Sequence, residues 1–401
     1  MSETDTNKGR WPEIILIYAL SVFAVMVISE AAPALGGIAR EFRPPNPAEI
    51  GWVMPMPALV AALFALGAGW IVDRIGDRRV LLWAGLLLIA GDIGVITAPS
   101  LPVILAWRIV GGLGYVSMAV AAVTMMTRRT TGWQRVAALA LWSTVIPASF
   151  IVSFLIASAL SAIGGWRVLF EGHAAITAAL LLLGAAALPR PDPGQAAASR
   201  AAGVREVLRS PWPYVLGLSF AANAFLQTGS IAILTPLLST KAGMSEAQIH
   251  ALGSTAMLFN VLGALAVGAL LNRGISAWVV GAVGTVLSAG AGLLLLTGPL
   301  TPTTAIAADC GLLLGLGVLV GLWALLPQIA PSPRSIGATS GLITQITLVG
   351  VLFGPPAAFA GLAHGPRGLL AYLAVAVVGG LIGLPVWLRA TATKGASGVA
   401  H

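Results

Sequence analysis

Charge is scarce in this 401-residue sequence. Asp, Glu, Lys and Arg together make up 9% of it, where soluble domains carry about a quarter. That scarcity excludes a soluble enzyme, a nucleic-acid binder and a disordered chain as descriptions of the whole, since disordered segments are poor in apolar residues. Cysteine is nearly absent as well. Cys310, alone in the apolar run AIAADCGLLL, can form no internal disulfide and has no CxxC or CxxH neighbour for a zinc site. No GxxxxGK[ST] loop is present to hold a nucleotide, which argues against ATP-driven transport by this chain. No Ser/His/Asp or HExxH arrangement points to an enzyme, and neither cofactor nor metal is expected. The opening MSETDTNKGRWPE mixes acids and bases without a small-residue cleavage site, so the first apolar segment is expected to be retained.

What the sequence has in abundance is apolar surface: 58% of residues are hydrophobic and the mean hydropathy is +0.93. A helix needs about 20 such residues to cross a bilayer. Twelve segments qualify, at 13–35, 49–72, 80–98, 101–126, 136–160, 168–188, 213–237, 248–271, 277–297, 303–326, 336–360 and 369–388. With an even number of spans both termini share one side, and basic residues mark the cytoplasmic one. Sixteen of the 22 Lys and Arg residues fall on the terminal side, five on the other, and Arg108 lies within a span. The +8 formal charge therefore reads as topology rather than as a nucleic-acid site. Both termini are expected in the cytoplasm, with the chain a monomer in the inner membrane of a bacterium.

Residues 189–212 form the longest polar stretch, a linker rich in Pro and charge with room for a short surface helix. It divides a cytoplasmic N-terminus (1–12) and a six-helix half (13–188) from a second six-helix half (213–388) and a cytoplasmic tail (389–401). The halves are related. Gly69-Trp-Ile-Val-Asp73-Arg74 recurs as Gly268-Ala-Leu-Leu-Asn272-Arg273, and Asn46-Pro47-Ala48-Glu49-Ile50 as Ser245-Glu246-Ala247-Gln248-Ile249, both at an offset of 199. The second pair predicts a capping box opening the same helix in each half. Repeats of this kind are a transporter signature.

Gly69-x-x-x-Asp73-Arg74-x-Gly76-Asp77-Arg78-Arg79 resembles the signature loop between helices two and three of the major facilitator superfamily, from which Asp77 departs at one position. Arg108-Ile-Val-Gly-Gly-Leu-Gly114 resembles the fourth-helix motif of that family, with Gly111 in place of its customary Gln. Trp166-Arg167-x-x-Phe170 is also similar. The resemblance implies an all-α membrane protein of twelve transmembrane helices in two six-helix pseudo-repeats, working by alternating access. It also implies that Gly69, Asp73, Arg74, Gly76, Arg78 and Arg79 form a gating loop, and that helices one, four, seven and ten line a central cavity.

Ionisable groups inside spans cost several kcal/mol unless paired or hydrated. Glu30, Asp92, Arg108 and Asp309 are such groups, all within about 8–11 Å of the outer surface at ~1.5 Å per residue. A common depth favours mutual pairing or a shared vestibule. A buried carboxyl holds its proton tightly and a nearby arginine loosens that hold, so Glu30, Arg108 and Asp309 are the expected proton-coupling residues. Arg108, Asn223, Gln227 and Trp323 are the expected substrate contacts. Asp92 is expected to reach a neighbouring helix, His173 to be interfacial, and His250 and His364 to lie in loops. Gly350, Gly354, Pro355 and Pro356 predict a bend in span eleven, and most glycines of spans four and ten are expected to serve close packing.

These readings converge on a secondary active transporter of a small organic molecule, proton-coupled and favouring efflux, with protons, substrate and the bilayer as its partners and no nucleic acid. An uptake symporter for a small organic anion, a passive facilitator and a non-transporting receptor or scaffold on the same fold are the rivals.

Overall fold

The computed structural model describes residues 11–130, 134, 138, 141, 142, 144–160, 163–188, 204–332 and 336–397, and among them no strand occurs. The chain divides into two compact units, Met1–Pro45 with Trp52–Ala197 and Asn46–Gly51 with Ala198–His401. In the first unit the helices are α1 (Trp11–Ser29), α2 (Ala31–Phe42), α3 (Met56–Ile75), α4 (Asp77–Thr97), α5 (Leu101–Arg129), α6 (Val145–Leu160) and α7 (Arg167–Ala187). The second unit has α8 (Val204–Arg209), α9 (Pro211–Ala242), α10 (Glu246–Asn272), α11 (Ala277–Thr297), α12 (Pro302–Gly321), α13 (Leu326–Ile329), α14 (Ile336–Ala363), α15 (Gly365–Gly380) and α16 (Leu384–Ser397). The order repeats: Trp11–Phe42 and Pro211–Ala242 are each 32 residues long, and α4 and α11 each 21. Most of the linker lies outside the described residues, but its end forms α8, where a short surface helix is expected.

Among the described residues ten helices are long and apolar enough to cross a membrane, and Met56–Ala65 and Val145–Leu160 are shorter apolar stretches at the places of spans two and five. The chain is an all-α membrane protein. Large apolar side chains such as Leu63, Trp83, Leu182, Leu265 and Val286 are about two-thirds exposed. Such faces would be costly in water and suit lipid, where a helix satisfies its own backbone.

Proline leaves two marks on the expected spans. Span one remains one span, Trp11–Phe42, but its hydrogen-bond ladder lapses at Glu30, between α1 and α2, because Pro33 has no N–H to give the Ser29 carbonyl. Span two starts at Met56 rather than residue 49. Pro55 and Pro57 cannot supply the N–H groups that a helix running through from 49 would owe to the carbonyls of Gly51 and Val53. The expected capping box at Asn46 and Glu49 is accordingly not formed: Asn46 Oδ1 accepts from the Ala48 N–H at 3.0 Å and a short 3-10 turn follows at Pro47–Trp52. Its counterpart is complete, with Ser245 and Gln248 bonding reciprocally at the start of α10.

Close helix approach is set by glycine where the backbone leaves no room. A Cβ at Gly114 of α5 would stand 2.8 Å from the Ala84 carbonyl oxygen, and one at Gly354 of α14 would stand 2.5 Å from that of Phe225. Span eleven is one continuous helix, α14, with Pro355 and Pro356 inside it.

Candidate functional site

Four ionisable side chains in the first unit, Glu30, Asp92, Arg108 and His173, put their polar atoms together in a dry interior. Arg108, on α5, is buried and fully engaged. Its Nη1 donates to Glu30 Oε1 at 2.8 Å, its Nε to the Val53 carbonyl oxygen at 2.9 Å, and its Nη2 to the Val27 carbonyl oxygen. Val53 is free to accept because Pro57, four residues on, has no N–H. Phe170 of α7 lies beneath the guanidinium, 5.6 Å from its centre. All three guanidinium nitrogens of Arg108 thus bond this chain's own atoms.

Glu30 has a second neighbour. His173 Nδ1 lies 2.8 Å from Glu30 Oε2 and 2.7 Å from Asp92 Oδ2, while His173 Nε2 lies 2.7 Å from the Phe23 carbonyl oxygen. The ring stacks on Phe23 with 5.8 Å between centres. All four ionisable residues are at most 1% exposed. His173 is therefore in the protein core and not interfacial as expected: α7 begins at Arg167, and six residues carry it about 9 Å inwards. Asp92 does reach a neighbouring helix, and the contact it makes there is this histidine.

The second-unit candidates each meet a different neighbour. Asp309, on α12, is buried, and its Oδ2 has no hydrogen-bond partner. Asn223, on α9, donates to the Leu316 carbonyl oxygen at 3.1 Å and leaves Oδ1 unpartnered. Gln227 Nε2 reaches only Met257 Sδ, at 3.9 Å. Trp323 stacks on Phe220 at 5.3 Å and packs with the apolar cluster around Leu216 and Leu322. A cleft with about 270 Å³ of empty space, part of it open to solvent, is lined by Asn223, Leu226, Thr285, Ser288 and Leu316. His250 is buried within α10, not in a loop, whereas His364 lies at the break before α15.

The residues of the loop motif make separate contacts. Gly76 turns the chain between α3 and α4 at φ 90°, which glycine adopts without strain. Arg78 reaches the end of α7, donating from Nε to the Leu188 carbonyl oxygen at 2.9 Å and from Nη2 to that of Ala185 at 2.6 Å. Those carbonyls are orphans of a helix C-terminus, where a cation is favoured. Asp77, the departure from the family pattern, lies 3.5 Å from Arg128. Arg74 and Arg79 are exposed. Gly69 lies in α3, and Asp73's side chain is outside the described residues. At the opposite end of the unit, Arg167 and Trp166 both bond Glu41, at 2.6–2.9 Å.

Residues 14–355 match the family model of the Major Facilitator Superfamily. The chain belongs to this superfamily. Among curated proteins it is similar to the arabinose-proton symporter of Escherichia coli K12, 28% identical over 158 residues, 39% of this chain and 33% of that protein. It is also similar to the multidrug efflux pump LfrA of Mycolicibacterium smegmatis, 27% identical over 198 residues, 48% of this chain and 39% of the pump. The matches thus span about a third of the relatives' own length. The fold is that of a solved bacterial homologue of the human lysosomal transporter Spinster in an inward-facing, occupied conformation. That match has a TM-score of 0.76 and 19% identity over 96% of this chain and 97% of that one.

Two features of the first unit escaped the sequence reading. Glu41 lay past the expected end of span one and was not singled out, though the aromatic-basic pair Trp166-Arg167 called for a carboxylate partner. His173 shared the depth of Asp92, and that coincidence was the available signal.

Proposed function

We propose that this superfamily member is a secondary active transporter of a small organic molecule, coupled to protons through Glu30 and Arg108 and directed towards export. The observation that carries the reading is the buried pair of Glu30 and Arg108. Charged groups inside a membrane protein are expensive, and they persist where they serve a substrate or proton path. A carboxylate held by one arginine nitrogen can gain a proton when that arginine moves away. Asp309, buried with an unpartnered oxygen, is the second proton site of the reading. Asn223, Gln227 and Trp323 are its substrate contacts. The loop from Gly69 to Arg79 is its gate, and the excess of basic residues on the terminal side supports cytoplasmic termini.

The test is accumulation of a fluorescent lipophilic cation in cells expressing the wild-type chain or Glu30→Gln, with and without an uncoupler. Exclusion that needs both the proton gradient and Glu30 is the expected outcome. Accumulation equal to that of cells without the protein sinks export of cationic compounds. Exclusion that survives the uncoupler and Glu30→Gln sinks proton coupling.

A further inference from the structure

The pairing of Glu30 with Arg108 does not account for His173 and Asp92, and His173 has the more telling geometry because its two ring nitrogens meet different partners. Nε2 faces a backbone carbonyl oxygen, which only accepts, so Nε2 carries a hydrogen. Nδ1 faces two carboxylate oxygens at 2.7 and 2.8 Å. With both carboxylates ionised, a bare Nδ1 would set its lone pair against two anionic oxygens at contact distance. One more proton removes the conflict, and on Nδ1 it donates along the hydrogen bond to Asp92 Oδ2. The charges then cancel, Arg108 and His173 against Glu30 and Asp92. These are the titratable groups that face the ring: Glu30 from the α1–α2 join, Asp92 from α4 and, through Glu30, Arg108 from α5. α6, the other helix packed on α7, has no acidic or basic residue in Val145–Leu160, and Glu171 is exposed.

We propose that His173 and Asp92 form a proton store beside Glu30, with Nδ1 holding the proton that Glu30 exchanges, an inference that rests on the transport reading above. Glu30 Oε2 is the acceptor: it is 2.8 Å from Nδ1 and has no hydrogen-bond partner of its own. When Arg108 leaves Oε1, the Nδ1–H bond breaks and an Oε2–H bond forms. The imidazolium becomes the neutral ring with its hydrogen on Nε2, Glu30 becomes a neutral acid, and the charge of the site is unchanged. Asp92 is a positioning residue that aims Nδ1, and the Phe23 carbonyl fixes the tautomer.

Glu30, Asp92 and His173 also have the donor types of a divalent-cation site. Their spacing argues for a proton. Ligand atoms about 2.1 Å from a tetrahedral zinc stand roughly 3.4 Å apart, whereas the contacts here are 2.7 and 2.8 Å.

The test is nitrogen-15 spectroscopy of the full chain with labelled histidine, in lipid nanodiscs at about pH 7.5, one unit above the free imidazole value. His173→Gln assigns the signal among the four histidines. The expected result is a His173 ring protonated on both nitrogens, loss of the Nδ1–H signal in Asp92→Asn, and no change on adding zinc or manganese chloride. A ring in the wild type with Nδ1 or Nε2 bare overturns the proposal. Displacement of the Nδ1 proton by an added metal also overturns it and makes the cluster a cation site. No transport is measured, so the two readings fail separately: a doubly protonated His173 in a chain that moves no substrate refutes transport and leaves the store, and the reverse refutes the store alone.

Discussion

Arg108 and Glu30 meet at 2.8 Å with at most 1% of either side chain exposed. The pair exists because a proline elsewhere made room for it: the Val53 carbonyl that takes Arg108 Nε has no helical N–H to receive. Removing one member of a buried ion pair leaves an uncompensated charge, which costs about 3–5 kcal/mol. Arg108→Ala is therefore expected to lower the unfolding temperature of the purified protein steeply. Arg108→Ala with Glu30→Gln should regain part of the loss. A double variant no more stable than the single one would mean that Arg108 supplies packing rather than charge.

Asp309 calls for the opposite result. No ion pair to it occurs among the described residues, so Asp309→Asn exchanges a buried carboxyl for an amide of the same shape without stranding a cation. Folding stability should stay within about 1 kcal/mol, the scale of a single net hydrogen bond. If Asp309 carries a proton in transport, the same variant should lose uncoupler-sensitive exclusion. Thermal unfolding and the accumulation assay together separate the two roles.

Arg78 closes the end of α7 with two hydrogen bonds from a charged group, each worth about 1.5–3 kcal/mol at most when buried and less at a half-exposed end. Arg78→Ala should destabilise the first unit measurably. Arg78→Lys should recover little, since an ammonium cannot span the carbonyls of Ala185 and Leu188 as the planar fork does. Equal stability of the Lys variant and the wild type would show that charge at the helix end is sufficient.

The Arg167–Glu41 pair makes a control. It is bidentate but partly solvated, with side chains 34% and 41% exposed, and exposed pairs are worth about 0.2–1 kcal/mol. Arg167→Ala is expected to shift the unfolding temperature far less than Arg108→Ala. A comparable drop in the two variants would contradict the burial argument.

Glu30, Arg108, Asp92 and Asp309 were legible as buried charges because a charge in an apolar run stands out, and the sequence repeat because its motifs recur at one offset. The partners were harder to read. Which carboxylate faces which nitrogen depends on helix rotation, and span counting carries no such information. His173 stood six residues inside a helix whose start looked interfacial, so its depth was undervalued. The start of α3 was missed because the cap signal at Asn46 and Glu49 was weighed without the prolines at 55 and 57 that cancel it. Gly350 and Gly354 were read through a bending motif, and their close approach to the α9 backbone at Ala221 and Phe225 was not foreseen.

Three acceptors in the charged cluster are main-chain oxygens, those of Phe23, Val27 and Val53. A side-chain acceptor can swing to follow its donor; a helix carbonyl moves only with its helix. Phe23 and Val27 are one helical turn apart on α1, and they hold residues of α7 and α5 respectively. A tilt or slide of α1 would therefore act on both bonds at once. In the proton-store proposal, that makes the ionic cluster a strain gauge for α1, in which a small mechanical displacement of one helix decides who owns a proton.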